Sequence, residues 1–363
     1  MKYKLSDCVE IISGGTPKKA VSEYWDGNIP WITIKDFGSK YPKSTDNYIT
    51  QEGLNHSAAK LSKDKDILIS ARGTVGEVMM VHSGYTFNQS IYGLRIKEKV
   101  AIPEYIYYWL LANKQIFIKN VHGSVFDTIT RKIFDHIQIE LPCIANQAEI
   151  VSKLNSIDSK IALNELINDN LLELAKASYR KVLAASNLTE TKLKDFATIT
   201  MGQSPSSKTY NEDKVGLALL NGAADFRNGI HPSKWTTDPK RIVNKGSYIF
   251  GVRATIGLTT KVFDKYAIGR GTGSAVSKDT VNDEFLYFVL DDMFKYFSNS
   301  GSGSVYINIS KSDFNDYIFC KPQTNDLQKF HQTVGPIMNK IYTNKQENLI
   351  LTQVKETLLN KYF

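Results

Sequence analysis

The sequence has little of what builds disulfide frameworks, metal centres or membrane spans. Cysteine occurs three times in 363 residues, at Cys8, Cys143 and Cys320. None has C-x-x-C spacing, which argues against a structural zinc site, and an odd set of lone thiols fits a reducing, cytoplasmic compartment. The histidines His56, His82, His122, His136, His231 and His331 are scattered; without a repeated spacing they read as surface or packed residues rather than ligands. No apolar run approaches the ~18 residues that span a membrane. The opening M-K-Y-K-L-S-D-C-V-E has no apolar signal core, so no membrane association is expected.

Catalytic signatures are also missing. There is no G-x-x-x-x-G-K-[S/T] phosphate loop, no H-E-x-x-H and no G-x-S-x-G. The N-P-P-[F/Y] or D-P-P-[F/Y] tetrapeptide of base amino-methyltransferases is absent, and Asp238-Pro239-Lys240 does not supply it. Glu190-Thr191-Lys192 is a lone E-x-K without an upstream Pro-Asp, weak support for a nuclease. Gly269-Arg270-Gly271-Thr272-Gly273 is glycine-rich but lacks the strand-to-helix setting of a dinucleotide loop. The expectation is a chain with no catalytic residue, no metal and no cofactor of its own.

What is present is present twice. L-S-D-C-V-E-I-I-S-G-G-T-P (Leu5 to Pro17) is echoed about 180 residues later by L-K-D-F-A-T-I-T-M-G-Q-S-P (Leu193 to Pro205). Arg72-Gly73-Thr74-Val75-Gly76 answers Arg253-Ala254-Thr255-Ile256-Gly257, and Gly123-Ser124-Val125 answers Gly303-Ser304-Val305. Ile129-Thr130-Arg131 with Phe134 and Pro142 answers Ile309-Ser310-Lys311 with Phe314 and Pro322. Solenoid repeats run roughly 20 to 50 residues. This period instead marks a duplicated domain of about 140 residues, near the usual domain size, plus a linker.

Each copy reads as mixed and strand-rich. Asp66 to Ser70 is a short apolar run before a turn, hence a buried strand, and Ile137 to Leu141 alternates with period two. Pro103 to Ile118 reads as one aromatic-rich helix with proline in its first turn, matched by Asp283 to Phe297. Its aromatics are expected in a core.

From about Ala145 to Ala184 glycine and proline vanish. Ile150, Leu154, Ile157, Ile161, Leu171, Ala175 and Val182 form a heptad-like stripe. Adding 180 gives the matching stripe Phe330, Val334, Ile337, Ile341, Leu351, Leu358 and Tyr362. Two such helices are best buried against each other. Asn164 and Asn168 on the first stripe land on Asn344 and Asn348. They either fix register from within the seam or face solvent. Gly335-Pro336 interrupts the second stripe, and proline breaks a helix, so the second long helix is expected to start at Pro336. A helix of ~38 residues is ~57 Å long, more than one DNA turn of ~34–36 Å. The expected boundaries are domain 1–145, helix 146–185, domain 186–325 and helix 326–363.

The formal charge of +8 and an isoelectric point near 9.0 favour an acidic partner, nucleic acid or an anionic surface. Candidate contacts sit on turns. Gly15, Thr16, Pro17, Lys18 and Lys19 form a tight basic turn, answered by Ser204, Pro205 and Lys208. Trp31-Ile32-Thr33-Ile34-Lys35-Asp36 aligns loosely with Ala218-Leu219-Leu220-Asn221-Gly222-Ala223, where the lysine is lost although Arg227 follows. Arg72 and Arg253 are a matched pair suited either to gripping phosphate or guanine or to bracing a turn through carbonyls. Lys18, Lys19, Lys35, Lys40 and Lys43 are basic only in the first copy. Arg227, Lys234, Lys240, Arg241 and Arg270 are basic only in the second. A shared scaffold with different polar residues points to two modules reading two sequences.

These features together resemble the specificity subunit of type I restriction-modification systems, over essentially the whole chain. The carriers are L-S-D-C-V-E-I-I-S-G-G-T-P, the I-P-W-I-T-I-K-D stretch from Ile29, D-I-L-I-S-A-R-G-T-V-G from Asp66, and I-x-L-P-x-x-x-x-Q from Ile139 to Gln147. The resemblance implies an α+β fold: two duplicated globular target recognition domains joined by two long antiparallel coiled-coil helices. It implies that each domain contacts one half of a split double-stranded DNA site while the helices set the gap. It implies docking of two methyltransferase subunits that carry S-adenosylmethionine, with restriction subunits joining through them and using ATP and Mg. DNA contacts are placed around Gly15 to Lys18, Lys35 and Asp36 in the first domain. In the second they fall around Ser204, Pro205 and Arg227. The competing readings are a duplicated coiled-coil adaptor without DNA specificity and part of a fused restriction-modification enzyme.

Overall fold

The computed structural model describes residues 1–121, 128–227, 229–253, 255–300 and 310–363. The expectations on Gly123-Ser124-Val125, Gly303-Ser304-Val305, His122, Ala254 and Ile309 lie outside the described residues. The chain forms two units, Met1–Lys160 with Leu351–Phe363, and Ile161–Ile350.

In the first unit Asp66–Ser70 is buried at every position because it is an inner strand of a four-stranded antiparallel sheet. The spatial order is Val9–Ser13, Ile91–Ile96, Asp66–Ser70, Val78–Val81. Its alternating side chains serve two cores. Ile67 and Ile69 join a cluster with Leu94, Tyr105 and Ile106. Leu68 packs on the other face with Ile32, Met79 and Phe87. A three-stranded sheet pairs Trp25–Ile32 antiparallel with Tyr48–Ile49 and parallel with Thr86–Phe87. Gln138–Glu140, inside the expected alternating run, pairs with Lys2–Lys4 in an antiparallel ribbon.

The second unit repeats this plan. Its four-stranded sheet runs Ala197–Met201, Thr272–Ser277, Tyr248–Arg253, Thr255–Lys261. Tyr248, Phe250 and Val252 face one core and Ile249 another. Leu217–Leu220 runs parallel to Tyr266–Ile268, as Trp25–Ile32 does to Thr86–Phe87. Leu188–Lys192 and Ile318–Pro322 make the matching ribbon. The glycines that end the R-x-T-x-G motif, Gly76 and Gly257, both take positive φ, +82° and +87°, a conformation that favours glycine.

The aromatic segment of the first unit is two helices, Pro103–Ala112 and Lys114–Val121, not one. Asn113 divides them. Its backbone leaves the helical region at φ −104° and ψ 20°, and its side-chain Nδ2 donates to the Trp109 carbonyl at 3.0 Å, the local bonding by which asparagine competes with a continuing helix. In the second unit the counterpart Asp283–Ser300 is continuous. Tyr105, Tyr107, Tyr108 and Trp109, like Phe285, Phe288 and Phe294, are buried in the cores.

Two long helices span Ile144–Ala185 and Thr324–Tyr362. The second does not start at Pro336; the proline lies inside it. Pro336 and Gln332, four residues earlier, are exposed, so the carbonyl that loses its N–H partner faces water and the helix continues. Neighbouring Gly335 faces inward, where an added Cβ would lie 3.4 Å from Glu284 Oε1.

Within each unit the two helices run antiparallel. In the first, Lys355 Nζ meets Asp158 Oδ1 at 2.6 Å and Lys153 Nζ meets the Tyr362 hydroxyl at 3.4 Å. In the second, Asn164 Nδ2 donates to Asn348 Oδ1 at 2.8 Å, and Asn344 Nδ2 to Asn168 Oδ1 at 2.9 Å. The asparagines therefore face one another, and Asn164 and Asn344 are 1% exposed.

The apolar stripe is not confined to a seam between helices. Leu154 is buried in the first core, with Ile150 and Leu358 packed against it. Ala175, Phe330, Val334 and Ile341 are buried in the second, with Leu171, Val182 and Ile337 against it. Ile157, Ile161, Leu351 and Tyr362 are half-buried. The stripe faces the aromatic helices as much as its partner helix, so the long helices gain their stability from tertiary packing of an apolar face.

Candidate nucleic-acid interface

One end of each four-stranded sheet gathers the turns that carry the candidate residues. The first strand leaves the sheet at Ser13 in one unit and Met201 in the other, and the turn that follows is tied down identically. Gly14 N–H donates to the Ile91 carbonyl and Gly15 N–H to that of Phe87; Gly202 N–H donates to Thr272 and Gln203 N–H to Ile268. Asn88 N–H donates to Ile32, as Gly269 N–H does to Leu220. Ala71 N–H donates to Ser90, as Val252 N–H does to Gly271. By these bonds Thr16 corresponds to Ser204, Arg72 to Arg253, and Gln89 to Arg270.

The glycines are needed for packing within the chain. A Cβ on Gly15 would lie 2.2 Å from the Ala59 nitrogen, and one on Gly202 would lie 2.1 Å from the Gly269 oxygen. The Gly15 carbonyl accepts from Trp31 Nε1 at 2.9 Å. Pro17 is buried, Thr16 half-buried, and Lys18 and Lys19 are exposed. The Thr16 hydroxyl donates to Gln89 Oε1. Sequence reasoning passed over Gln89, whose setting Asn88-Gln89-Ser90 reads as an ordinary polar turn.

Lys35 is exposed on a short 3-10 turn, Ile34–Asp36. Asp36 is turned back into the fold: Thr33 N–H and Oγ1 donate to its Oδ2 at 2.6 and 2.9 Å. In the second unit that capping carboxylate is Asp225, accepting from Asn221 N–H at 2.7 Å and Gly222 N–H at 3.3 Å. The alignment of Lys35-Asp36 with Gly222-Ala223 is therefore corrected. Asp36 corresponds to Asp225 and Lys35 to Ala224, a shift of two: Ile32 matches Leu220 rather than Leu219, and one extra residue follows Leu220 before the turn Ala223–Asp225 begins.

Ser204, Arg227, Arg253 and Arg270 come together in the second unit, lining one open cavity of about 410 Å³ with Asn221 and Gly271. Arg270 is held by Ser204 Oγ, which accepts from its backbone N–H at 3.2 Å and from Nε at 3.4 Å. Among the described residues Arg253 and Arg270 have no acidic partner within ion-pair distance. Arg227, Arg253 and Arg270 line that one concavity and bring positive charge to it. Lys208 is exposed on the turn Ser207–Thr209 and does not line it. Lys234 and Lys240 are also exposed, Lys240 paired with Asp238 at 2.6 Å.

Lys40 points inward rather than to a ligand. Its ammonium meets the Tyr108 hydroxyl at 3.0 Å and Asn155 Oδ1, and lies 3.9 Å from Asp158. Burial lowers its pKa, with Asp158 and Glu104 opposing. Glu190 and Lys192 lie on the ribbon, where Lys192 pairs with Asp316 at 3.2 Å, a structural contact. Among the described residues no group of His, Cys, Asp or Glu is arranged to hold a metal, and no helix is long and apolar enough to cross a membrane.

A family model described as the type I restriction modification DNA specificity domain matches residues 1–173 and, a second time, residues 186–353. The chain belongs to the type I restriction-modification DNA specificity family. Both copies of the duplicated unit are matched, which does not favour the adaptor or fused-enzyme readings.

Among relatives of this specificity family, the MjaIX specificity subunit of Methanocaldococcus jannaschii is 25% identical over 402 residues, covering 99% of this chain and 91% of that protein. The EcoR124I/EcoR124II specificity subunit of Escherichia coli is 30% identical over 177 residues, 46% of this chain and 43% of that one. A crystal structure of a type I restriction-modification S subunit from M. genitalium covers 100% of this chain and 96% of its own, with a TM-score of 0.60 at 15% identity; the two share a fold. Membership makes DNA the target, and the modification and restriction subunits of such a system the partner class.

Proposed function

We propose that each unit reads one half of a bipartite double-stranded DNA site through the turns at the end of its four-stranded sheet, while the long helices set the unread gap. The chain docks two methyltransferase subunits, one per half. These bind S-adenosylmethionine, and restriction subunits join through them with ATP and Mg. The specificity chain breaks no bond; its contribution is to place a chosen adenine before its partner.

The observation that carries this reading is the matched pair of turn clusters. Their backbone hydrogen bonds coincide while their side chains differ. Common backbone and common arginine suit what every DNA offers, the phosphates, and differing side chains suit what distinguishes two half-sites. The concentration of Arg227, Arg253 and Arg270 around one cavity supplies the charge.

The test is a binding titration of the chain in complex with its methyltransferase subunits on DNA carrying the site. Observed affinity should fall steeply between 50 and 200 mM salt, by roughly 10³-fold or more for six phosphate contacts. Affinity independent of salt and of DNA sequence sinks the reading.

A further inference from the structure

We infer that Gln89 and Arg270 are the matched specificity-determining residues of the two units, Gln89 reading an adenine in one half-site and Arg270 a guanine in the other. This rests on the DNA-recognition reading above and names where in each unit the reading is done.

The two residues occupy one position in a duplicated backbone. Each follows the residue whose N–H donates to the end of the parallel strand, Asn88 to Ile32 and Gly269 to Leu220. Each precedes the residue whose carbonyl accepts from the opposite strand end, Ser90 from Ala71 and Gly271 from Val252. Both side chains are exposed. Both meet a hydroxyl delivered by the glycine turn, Thr16 for Gln89 and Ser204 for Arg270.

Around them four positions of the cluster keep the same chemistry, while Lys18, Lys19 and Lys35 of the first unit have no basic counterpart in the second. Arginine stands at 72 and 253, a hydroxyl at 16 and 204, proline at 17 and 205, and a capping aspartate at 36 and 225. Residues shared by both units cannot tell one half-site from the other. A polar, exposed position that differs can.

The chemistry at that position is specific. Ser204 Oγ engages Arg270 through its backbone N–H and its Nε. That fixes the root of the guanidinium and leaves both terminal nitrogens to form a fork. The fork matches O6 and N7 of guanine in the major groove. In Gln89 the Thr16 hydroxyl occupies one lone pair of Oε1. The second lone pair and the amide N–H₂ remain, one acceptor and one donor, which match N6 and N7 of adenine. In each case the neighbouring hydroxyl removes side-chain freedom before DNA arrives, so less entropy is lost on binding.

The test uses the host lacking this gene, complemented with wild type, Arg270→Gln, Gln89→Arg or Arg270→Ala, and read by base-modification sequencing. Wild type should restore one bipartite motif. Arg270→Gln should change a single base position in one half, with preference for guanine reduced roughly 5- to 150-fold, and leave the other half intact. Gln89→Arg should alter the other half alone. A motif unchanged in both variants, at full or reduced methylation, makes these residues phosphate or structural contacts and overturns the inference. A variant that gives no methylation is resolved with its purified methyltransferase complex, on DNA libraries randomised in both halves. Selection of the wild-type sequence there also overturns the inference, whereas a one-position shift supports it. Failure of wild type to restore any motif is a separate outcome and counts against DNA recognition itself.

Discussion

Replacing Asp158 by alanine is expected to destabilise the first unit by about 3–5 kcal/mol, the cost of leaving buried charges without their partner. Asp158 lies where the two long helices meet the aromatic helix. Tyr108 donates to its Oδ2 at 2.6 Å, Lys355 approaches Oδ1 at 2.6 Å and Lys40 approaches Oδ2 at 3.9 Å. The side chains of Lys40, Asp158 and Lys355 are 15%, 13% and 19% exposed, so solvent screens the group little. Without the carboxylate two ammonium groups share a site beside one tyrosine ring, 4.7 and 5.7 Å from its centroid. Burial already pulls the Lys40 pKa down while Asp158 holds it up. In the variant Lys40 therefore sheds its proton more easily, which limits the loss. At about 2–4 °C per kcal/mol for a domain of this size, the midpoint of the first unit should fall by roughly 6–20 °C. The assay is thermal and urea unfolding of the full chain, fitted with separate transitions because two units need not melt together. A change within about 0.5 kcal/mol, the range of ordinary surface substitutions, would show that these groups are screened and that the account of the helix anchorage is wrong.

Gly15→Ala and Gly202→Ala should each cost about 1–3 kcal/mol by overpacking, since their Cβ atoms would meet backbone at 2.2 and 2.1 Å. Gly222→Ala, extended at φ −177° with nothing within 4 Å of the added atom, should stay within about 0.5 kcal/mol in the same urea melts. Among the described residues Asn344 Oδ1 is buried without a partner. Asn344→Leu alone should therefore cost about 1–3 kcal/mol by stranding Asn168, whereas the Asn168→Leu, Asn344→Leu pair should be neutral or stabilising; equal, additive losses in a double-mutant cycle would contradict this. At alkaline pH the chain should lose stability. Burial raises the pKa of Tyr107, Tyr108, Tyr179, Tyr248 and Tyr342, and that of Tyr287 to about 12. Above about pH 10 the unfolded chain ionises these phenols while the fold keeps them protonated. The folded state then binds more protons and stability falls as pH rises, by up to about 1.4 kcal/mol per pH unit for each tyrosine. Phenolate absorbance should appear for them only with unfolding, and a smooth titration of every tyrosine near pH 10 in the folded state would refute it.

Much of the fold is legible in the sequence because duplication prints each local solution twice. Gly76 and Gly257 recur because both positions take positive φ, and Asp66–Ser70 shows its burial in the apolar centre Ile67–Ile69. Asn164, Asn168, Asn344 and Asn348 follow from the offset of 180. What the sequence hides depends on tertiary surroundings. Pro336 reads as a helix start because a string of letters does not show that Gln332 faces water. Asn113 splits a helix through its own side chain, which no apolar period records. The register of Lys35-Asp36 slips by two because Ile32 matches Leu220 rather than Leu219 and one inserted residue follows Leu220, which together move the capping aspartate to Asp225. Lys40 looks like a ligand-facing base because Tyr108, Asp158 and Lys355 are remote in sequence. For the candidate site, Ser204, Arg227, Arg253 and Arg270 were legible as basic or polar turn residues. Their convergence on one cavity was not, and Gln89 emerged only when matched backbone bonds made it the counterpart of Arg270.

The central claim is tested most directly by base-modification sequencing of the host genome with this gene intact, deleted and restored, while the methyltransferase partner is expressed throughout. The account predicts that one bipartite methylated motif disappears on deletion and returns on restoration. Persistence of every modified motif in the deleted strain, with the partner present and active, would contradict it.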